Sequence, residues 1–200
     1  MKARIYTNDF NRIIAATKSF TAESASRPVH QYIRLEFNAE ESIVTAVAVD
    51  GFRLSVEHAV ISDCDESFVA YVKGNVKLPG KQYATISIEE KEAMIRCAGC
   101  VFGYCQPQGD FLDYEKVIPT GGEPFRIGFN GNLLLSALQA AKVSCGDSFK
   151  NPVVLEFRGP VSPVLIRTNN NADVKMVLPV RIKDCGQWEC VDTANESVAL

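Results

Sequence analysis

The chain has 200 residues, of which 46% are apolar and 22% charged, and its formal net charge is -3. That apolar share fills one or two packed cores, no apolar run approaches the roughly 18 residues that cross a bilayer, and the start Met1-Lys2-Ala3-Arg4-Ile5-Tyr6 lacks a signal-peptide core, so a cytoplasmic protein without a membrane partner is expected. The mild negative charge excludes a uniformly basic nucleic-acid binder, and any grip on phosphates must come from a local patch.

In chain order, residues 3–7 read as a short strand. Asn8 or Asp9 is expected to cap a helix whose apolar positions Phe10, Ile13, Ile14 and Thr17 recur at i, i+3, i+4 and i+7, leaving Asn11, Arg12 and Lys18 on the wet face. A polar loop at 21–28 precedes strands at 32–38, 43–49 and 52–61. The first of these alternates Ile33, Leu35 and Phe37 with Arg34 and Glu36, so one of its faces is wet. Between the last two, Asp50-Gly51 predicts a hairpin with a tight primed turn, because Asp-Gly tolerates positive φ.

Strands are next expected at 68–72, 83–89, 93–96 and 101–106. Where a helix would stand, the chain reads Lys73-Gly74-Asn75-Val76-Lys77-Leu78-Pro79-Gly80, and Gly and Pro at that density oppose one. A third unit opens with a strand at 125–129 and a helix capped by Asn130, whose buried stripe is Leu134, Ala137, Leu138 and Ala141. Strands at 153–158, 164–168 and 173–182 follow, separated by Gly159-Pro160 and the Asn169-Asn170-Asn171 turn. The reading is an α+β chain of about three strand, helix and antiparallel-strand repeats, the middle one with a reduced helix.

Seven cysteines form an odd set, for which reduced thiols are expected. Cys97-Ala98-Gly99-Cys100 reads as a two-residue hairpin turn between cross-strand cysteines that could oxidise to a strained bridge. The alternative is a zinc site drawing on Cys97, Cys100, Cys105, Cys185 and Cys190. Enzyme signatures are scarce. The chain has no phosphate-binding loop and no Gly-x-Ser-x-Gly elbow, and His30 and His58 lack metal spacing. A thiol hydrolase using Cys64 or Cys105 with His58 is the enzymatic alternative to a non-catalytic protein without a cofactor.

Three passages carry a family resemblance. They are Val47-Ala48-Val49-Asp50-Gly51-Phe52-Arg53-Leu54-Ser55-Val56, then Phe111-Leu112-Asp113-Tyr114-Glu115-Lys116-Val117-Ile118-Pro119, and then 125–130 with 133–138 and Val177-Leu178-Pro179-Val180-Arg181-Ile182. In this order they resemble the middle and last domains of bacterial sliding clamps, the beta subunit of DNA polymerase III. Leu112 stands where the family typically has Pro. The resemblance implies a shortened relative, since a clamp protomer has three domains of two repeats each. It is divided here as a clamp-like domain at 1–119, a half domain at 120–183 and an acidic tail at 184–200.

By resemblance, the function is that of a non-catalytic replication or repair accessory protein that docks linear peptide motifs of polymerases or repair proteins. The implied groove is lined by Val49, Gly51, Phe52, Arg53, Leu54, Lys116, Val117, Met176, Leu178, Pro179, Val180 and Arg181. Arg12, Lys18, Lys142 and Lys150 would face duplex DNA, a weak partner that an oligomer could encircle. The competing expectations are packing roles for Val49, Leu54, Val117 and Met176, and a clamp-derived scaffold or decoy that leaves DNA alone.

Overall fold

The computed structural model describes residues 1–23, 27–119, 126–145, 152–168 and 173–181. The chain divides into two compact units, Met1–Pro119 and Thr120–Leu200. Lys150, the Asn169-Asn170-Asn171 turn, Phe125, Cys185, Cys190 and the 184–200 tail lie outside the described residues.

Unit 1 contains β1 (Lys2–Tyr6), α1 (Thr7–Thr17), β2 (Ile33–Asn38), β3 (Ile43–Val49), β4 (Leu54–Cys64), β5 (Phe68–Val72), β6 (Tyr83–Glu89), β7 (Glu92–Cys97) and β8 (Cys100–Cys105). Its strands form one antiparallel sheet in the order β5-β2-β3-β4-β1-β6-β7-β8. The order shows an exchange between repeats. The first strand of repeat one, β1, lies on β6 of repeat two, and β5, the first strand of repeat two, lies on β2 of repeat one. The β1–β4 seam carries a register shift between Arg4 and Ile5, a bulge of the kind that bends a sheet. At the other end, the Gln106 side chain accepts from the Tyr71 amide at 2.8 Å and donates to its carbonyl at 3.2 Å, occupying the backbone groups that the β5 edge would otherwise leave open.

Helix α1 buries Phe10, Ile13, Ile14 and Thr17 as its periodicity predicts, each large side chain contributing about 1.5–3 kcal/mol. Its start differs from expectation. The helix begins at Thr7 and no side chain caps it, so Asn8 and Asp9 lie inside the first turn. The Thr7 hydroxyl instead donates to the Gly80 carbonyl at 2.8 Å and accepts from the Gln82 amide at 3.2 Å. Asn11, expected on the wet face, is half-buried, and its carboxamide pairs with both the amide and the carbonyl of Leu78 at 2.9 Å. These bonds hold the segment 73–80, which is a loop without a helix, and they seat its Val76 and Leu78 in the core.

The β3–β4 hairpin forms with Val49 opposite Leu54. Its connection is four residues, Asp50 to Arg53, rather than a two-residue primed turn, and only Gly51 has positive φ, at 95°. Phe52 therefore belongs to the loop and not to β4. The β7–β8 hairpin is the two-residue kind, with Ala98 at φ 49°, Gly99 at φ 75° and Cys97 opposite Cys100.

Unit 2 holds α2 (Gly131–Cys145) and a three-stranded antiparallel sheet ordered β11-β10-β9, with β9 (Val154–Glu156), β10 (Val164–Arg167) and β11 (Val174–Val177). Asn130 caps α2, its carboxamide oxygen accepting from the amides of Asn132 at 3.0 Å and Leu133 at 3.3 Å. Ala141, Val164, Ile166 and Val177 form a small core against which Leu134, Ala137 and Leu138 pack. The strand expected at 125–129 is reduced, among the described residues, to a bridge between Gly128 and Val180, and the last strand ends at Val177 rather than running to 182.

Candidate functional site

The β3–β4 loop is a built object. One Asp50 carboxylate oxygen accepts from the amides of Phe52 at 2.9 Å and Arg53 at 2.8 Å. The other accepts from the Arg53 guanidinium at 2.8 and 2.6 Å. These amide donors, with the guanidinium beside them, hold the Asp50 carboxyl below its usual value. Arg53 also donates to the Ser19 carbonyl at 2.9 Å and lies over the Phe20 ring at 5.2 Å, which ties the loop to the short turn after α1. With Arg53 so held, Phe52 projects from the loop with 85% of its surface exposed.

A second wall comes from the segment after β8. Phe111 packs edge-on against His30 at 5.4 Å and receives the Arg34 guanidinium over its ring at 5.4 Å. Tyr114 donates its hydroxyl to Glu36 at 3.0 Å, and burial, with that carboxylate alongside, pushes its pKa up to about 12. Two anchors on β2 thus hold residues 111–117 along the sheet and bring Leu112 and Val117 to the loop.

The result is an open cavity of about 850 Å³ within unit 1, lined by Val49, Gly51, Phe52, Arg53, Leu54 and Val117, together with Leu112, His30 and parts of 19–23 and 27. Six expected groove residues therefore share one cavity. Val49 is buried and also serves the sheet, whereas Val117 is half exposed. Lys116 does not line the cavity; it is exposed and pairs with Asp113 at 2.5 Å. In unit 2, Met176 ends the exposed face of β11, and Leu178 and Val180 follow it, 65% and 48% exposed. Pro179 is half-buried and Arg181 exposed. His30, Leu112 and Asp50 were not foreseen. The signal for Asp50 was available, since an Asx side chain that bonds amides two and three residues on shapes many such turns.

Of the expected DNA-facing cations, Arg12 donates to Glu57 at 3.1 Å and to the His58 carbonyl at 2.6 Å, and so is bound to β4. Lys18 and Lys142 are exposed. Cys97 is buried against the Pro79 carbonyl and Gln82, and Cys105 lies 3.4 Å from Glu92. Among the described residues no three His, Cys, Asp or Glu side chains converge as metal ligands, and no helix is long and apolar enough to cross a membrane.

Exchanged strand-helix-strand repeats under a common sheet define the sliding-clamp fold, and the chain has it. It is similar to the DNA polymerase sliding clamp of Bacillus subtilis, with a TM-score of 0.65 at 16% identity over 92% of this chain and 65% of that one. It is similar also to the DNA polymerase beta subunit of Streptococcus pyogenes, with a TM-score of 0.76 at 16% identity over 90% of this chain and 50% of that one. For the DNA polymerase III subunit beta of Pseudomonas aeruginosa the TM-score is 0.69 at 16% identity, over 90% of this chain and 66% of that one. The chain thus spans between half and two thirds of these proteins. No family model and no curated protein matches the sequence.

Proposed function

We propose that the chain is a non-catalytic, clamp-like accessory protein of DNA replication or repair that docks short linear peptides of polymerases or repair proteins. The observation that carries this reading is the unit 1 cavity, where a pinned loop presents Phe52 beside Leu54, Leu112 and Val117. An apolar floor with polar groups at its rim suits an extended peptide with leucine or phenylalanine anchors. Each anchor contributes about 1.5–3 kcal/mol on burial, so two anchors with a few hydrogen bonds correspond to micromolar affinity, exchangeable enough for a hub. Lys116, and in unit 2 Met176, Leu178, Pro179, Val180 and Arg181, are proposed as further peptide-contacting residues.

The test is fluorescence anisotropy with a labelled peptide carrying a leucine-x-phenylalanine core. Phe52→Asp and Leu178→Asp, each setting a charge against an apolar anchor, are expected to weaken binding at least tenfold with the melting curve unchanged. Wild-type affinity in both variants would remove the groove. A second reading, a clamp-derived scaffold or decoy that does not bind DNA, is favoured by the capture of Arg12 by Glu57 and the His58 carbonyl. If DNA binding exists, Arg12→Glu with Lys18→Glu is expected to flatten its salt dependence, whereas absence of binding at low salt selects the decoy.

A further inference from the structure

The β7–β8 turn carries chemistry that peptide docking does not use. Cys97 and Cys100 flank its two residues and are register partners. Directly opposed residues of an antiparallel pair stand about 4.5–5.5 Å apart at Cα, inside the span of about 4.4–6.8 Å that a disulfide accepts. Both side chains point to the same face, since Cys97 belongs to the core cluster and Phe102, two residues beyond Cys100, packs against that cluster. Their surroundings differ. Cys97 is 5% exposed, its thiol donating to the Pro79 carbonyl at 3.6 Å and accepting from the Gln82 side-chain amide at 3.5 Å, whereas Cys100 is exposed. The other thiols described are placed elsewhere. Cys105 is an odd number of residues from Cys100 and so on the opposite face, where its thiol lies 3.4 Å from Glu92. Cys64 is on β4, three strands and roughly 14 Å across the sheet from β7.

We propose that Cys97 and Cys100 form a dithiol modification site that reacts with a low-molecular-weight disulfide, Cys100 making the first bond and Cys97 closing the bridge. Cys100, as its thiolate, attacks one sulfur of the small disulfide and expels a small thiolate, which takes a proton from water. Cys97 then gives its proton to water and attacks the Cys100 sulfur, and the second small thiol leaves. The protein loses two electrons and two protons, and the small disulfide gains both in becoming two thiols. Burial keeps the reagent from Cys97, so only the sulfur already bound to Cys100 reaches it. The bridge also acts beyond the turn. A bridged Cys97 has no hydrogen to donate to the Pro79 carbonyl, and its sulfur turns from Gln82 toward Cys100, so the 79–82 segment loses both sulfur contacts. That segment holds the start of α1. The Thr7 amide donates to the Gln82 carbonyl at 2.8 Å, the Thr7 hydroxyl donates to the Gly80 carbonyl at 2.8 Å, and the Gln82 amide donates to that hydroxyl at 3.2 Å. Oxidation of the turn thus loosens the first turn of α1, independently of peptide docking.

The test equilibrates the full chain with excess glutathione disulfide, blocks the remaining thiols with N-ethylmaleimide and weighs the 97–102 fragment that trypsin and chymotrypsin release. The wild-type fragment is expected to lack two hydrogens and to carry neither glutathione nor maleimide. In Cys97→Ser the same fragment should keep one glutathione on Cys100, and in Cys100→Ser the Cys97 thiol should stay unmodified by glutathione. Hydrogen exchange of the wild type supplies a readout that needs no variant. The amides of Thr7 and Gln82 should exchange at least about threefold faster in the oxidised chain than in the reduced one, while those of β3 do not change. A wild-type fragment that keeps glutathione or free thiols under excess reagent overturns the proposal, as does a bridge from either cysteine to Cys105. A Cys97–Cys100 bridge that leaves exchange at Thr7 and Gln82 unchanged overturns the coupling to α1.

Discussion

Removing the Asp50 carboxylate takes away the acceptor of two backbone amides and the anchor of the Arg53 guanidinium at once. Asp50→Ala should therefore cost about 1 kcal/mol of stability and loosen peptide binding, whereas Asp50→Asn, which keeps an acceptor for the amides, should cost less. Because the folded carboxyl titrates below its ordinary value of about 3.9, its contribution is present above that pH and drains as pH falls through the lower folded value. Urea midpoints of wild type and Asp50→Ala should thus converge below about pH 4. Tyr114 behaves in the opposite sense. Its pKa of about 12 means that its stabilisation is whole below the ordinary phenol value near 10 and is lost as pH rises toward the folded one. Burial raises Tyr71 and Tyr104 as well, so ultraviolet titration should show several phenols ionising late, and Tyr114→Phe should remove the latest of them while costing about 1 kcal/mol through the lost hydrogen bond to Glu36, which keeps its ion pair with Arg34.

At the scale of elements, the sequence is most legible where the signal is local. The stripe Phe10, Ile13, Ile14, Thr17 and the alternation Ile33, Leu35, Phe37 are read correctly because one face of each element carries them, and the Gly-Pro density at 73–80 correctly opposes a helix. Asn11 is misread because its partner, Leu78, lies 67 residues away and no periodicity reports a cross-chain amide pair. That pair substitutes for the missing helix by fixing the loop. Asn11→Ala is expected to cost about 1–3 kcal/mol by leaving the Leu78 amide and carbonyl unpaired, measured as a lower urea midpoint at constant m. The β7–β8 turn predicts the reverse sign. Ala98 holds φ 49°, a left-handed conformation that suits Asn or Gly better, so Ala98→Asn should raise stability by up to about 1 kcal/mol.

At the scale of the whole molecule, the exchange of β1 and β5 between repeats was hidden in the sequence, since nothing in a five-residue strand says which neighbour it will adopt. The same is true of the candidate cavity. The resemblance picked out its loop, but His30 and Leu112 reach it through the packing of Phe111, which only coordinates reveal. Completeness of the repeats also governs how the two units should melt. Unit 1 has both of its repeats and one continuous buried core, so a chain ending at Pro119 is expected to unfold cooperatively at a midpoint independent of its concentration. Among its described residues, unit 2 buries Ala141, Val164, Ile166 and Val177 in its core, a far smaller cluster than that of unit 1. In the full chain, calorimetry should therefore resolve two transitions. The one assigned to unit 2 should come at the lower temperature, and Ile166→Ala, which empties part of its core, should lower it further by about 2–5 kcal/mol of stability while leaving the unit 1 transition in place. A single transition in the full chain, shifted as a whole by Ile166→Ala, would mean that the two units do not unfold separately.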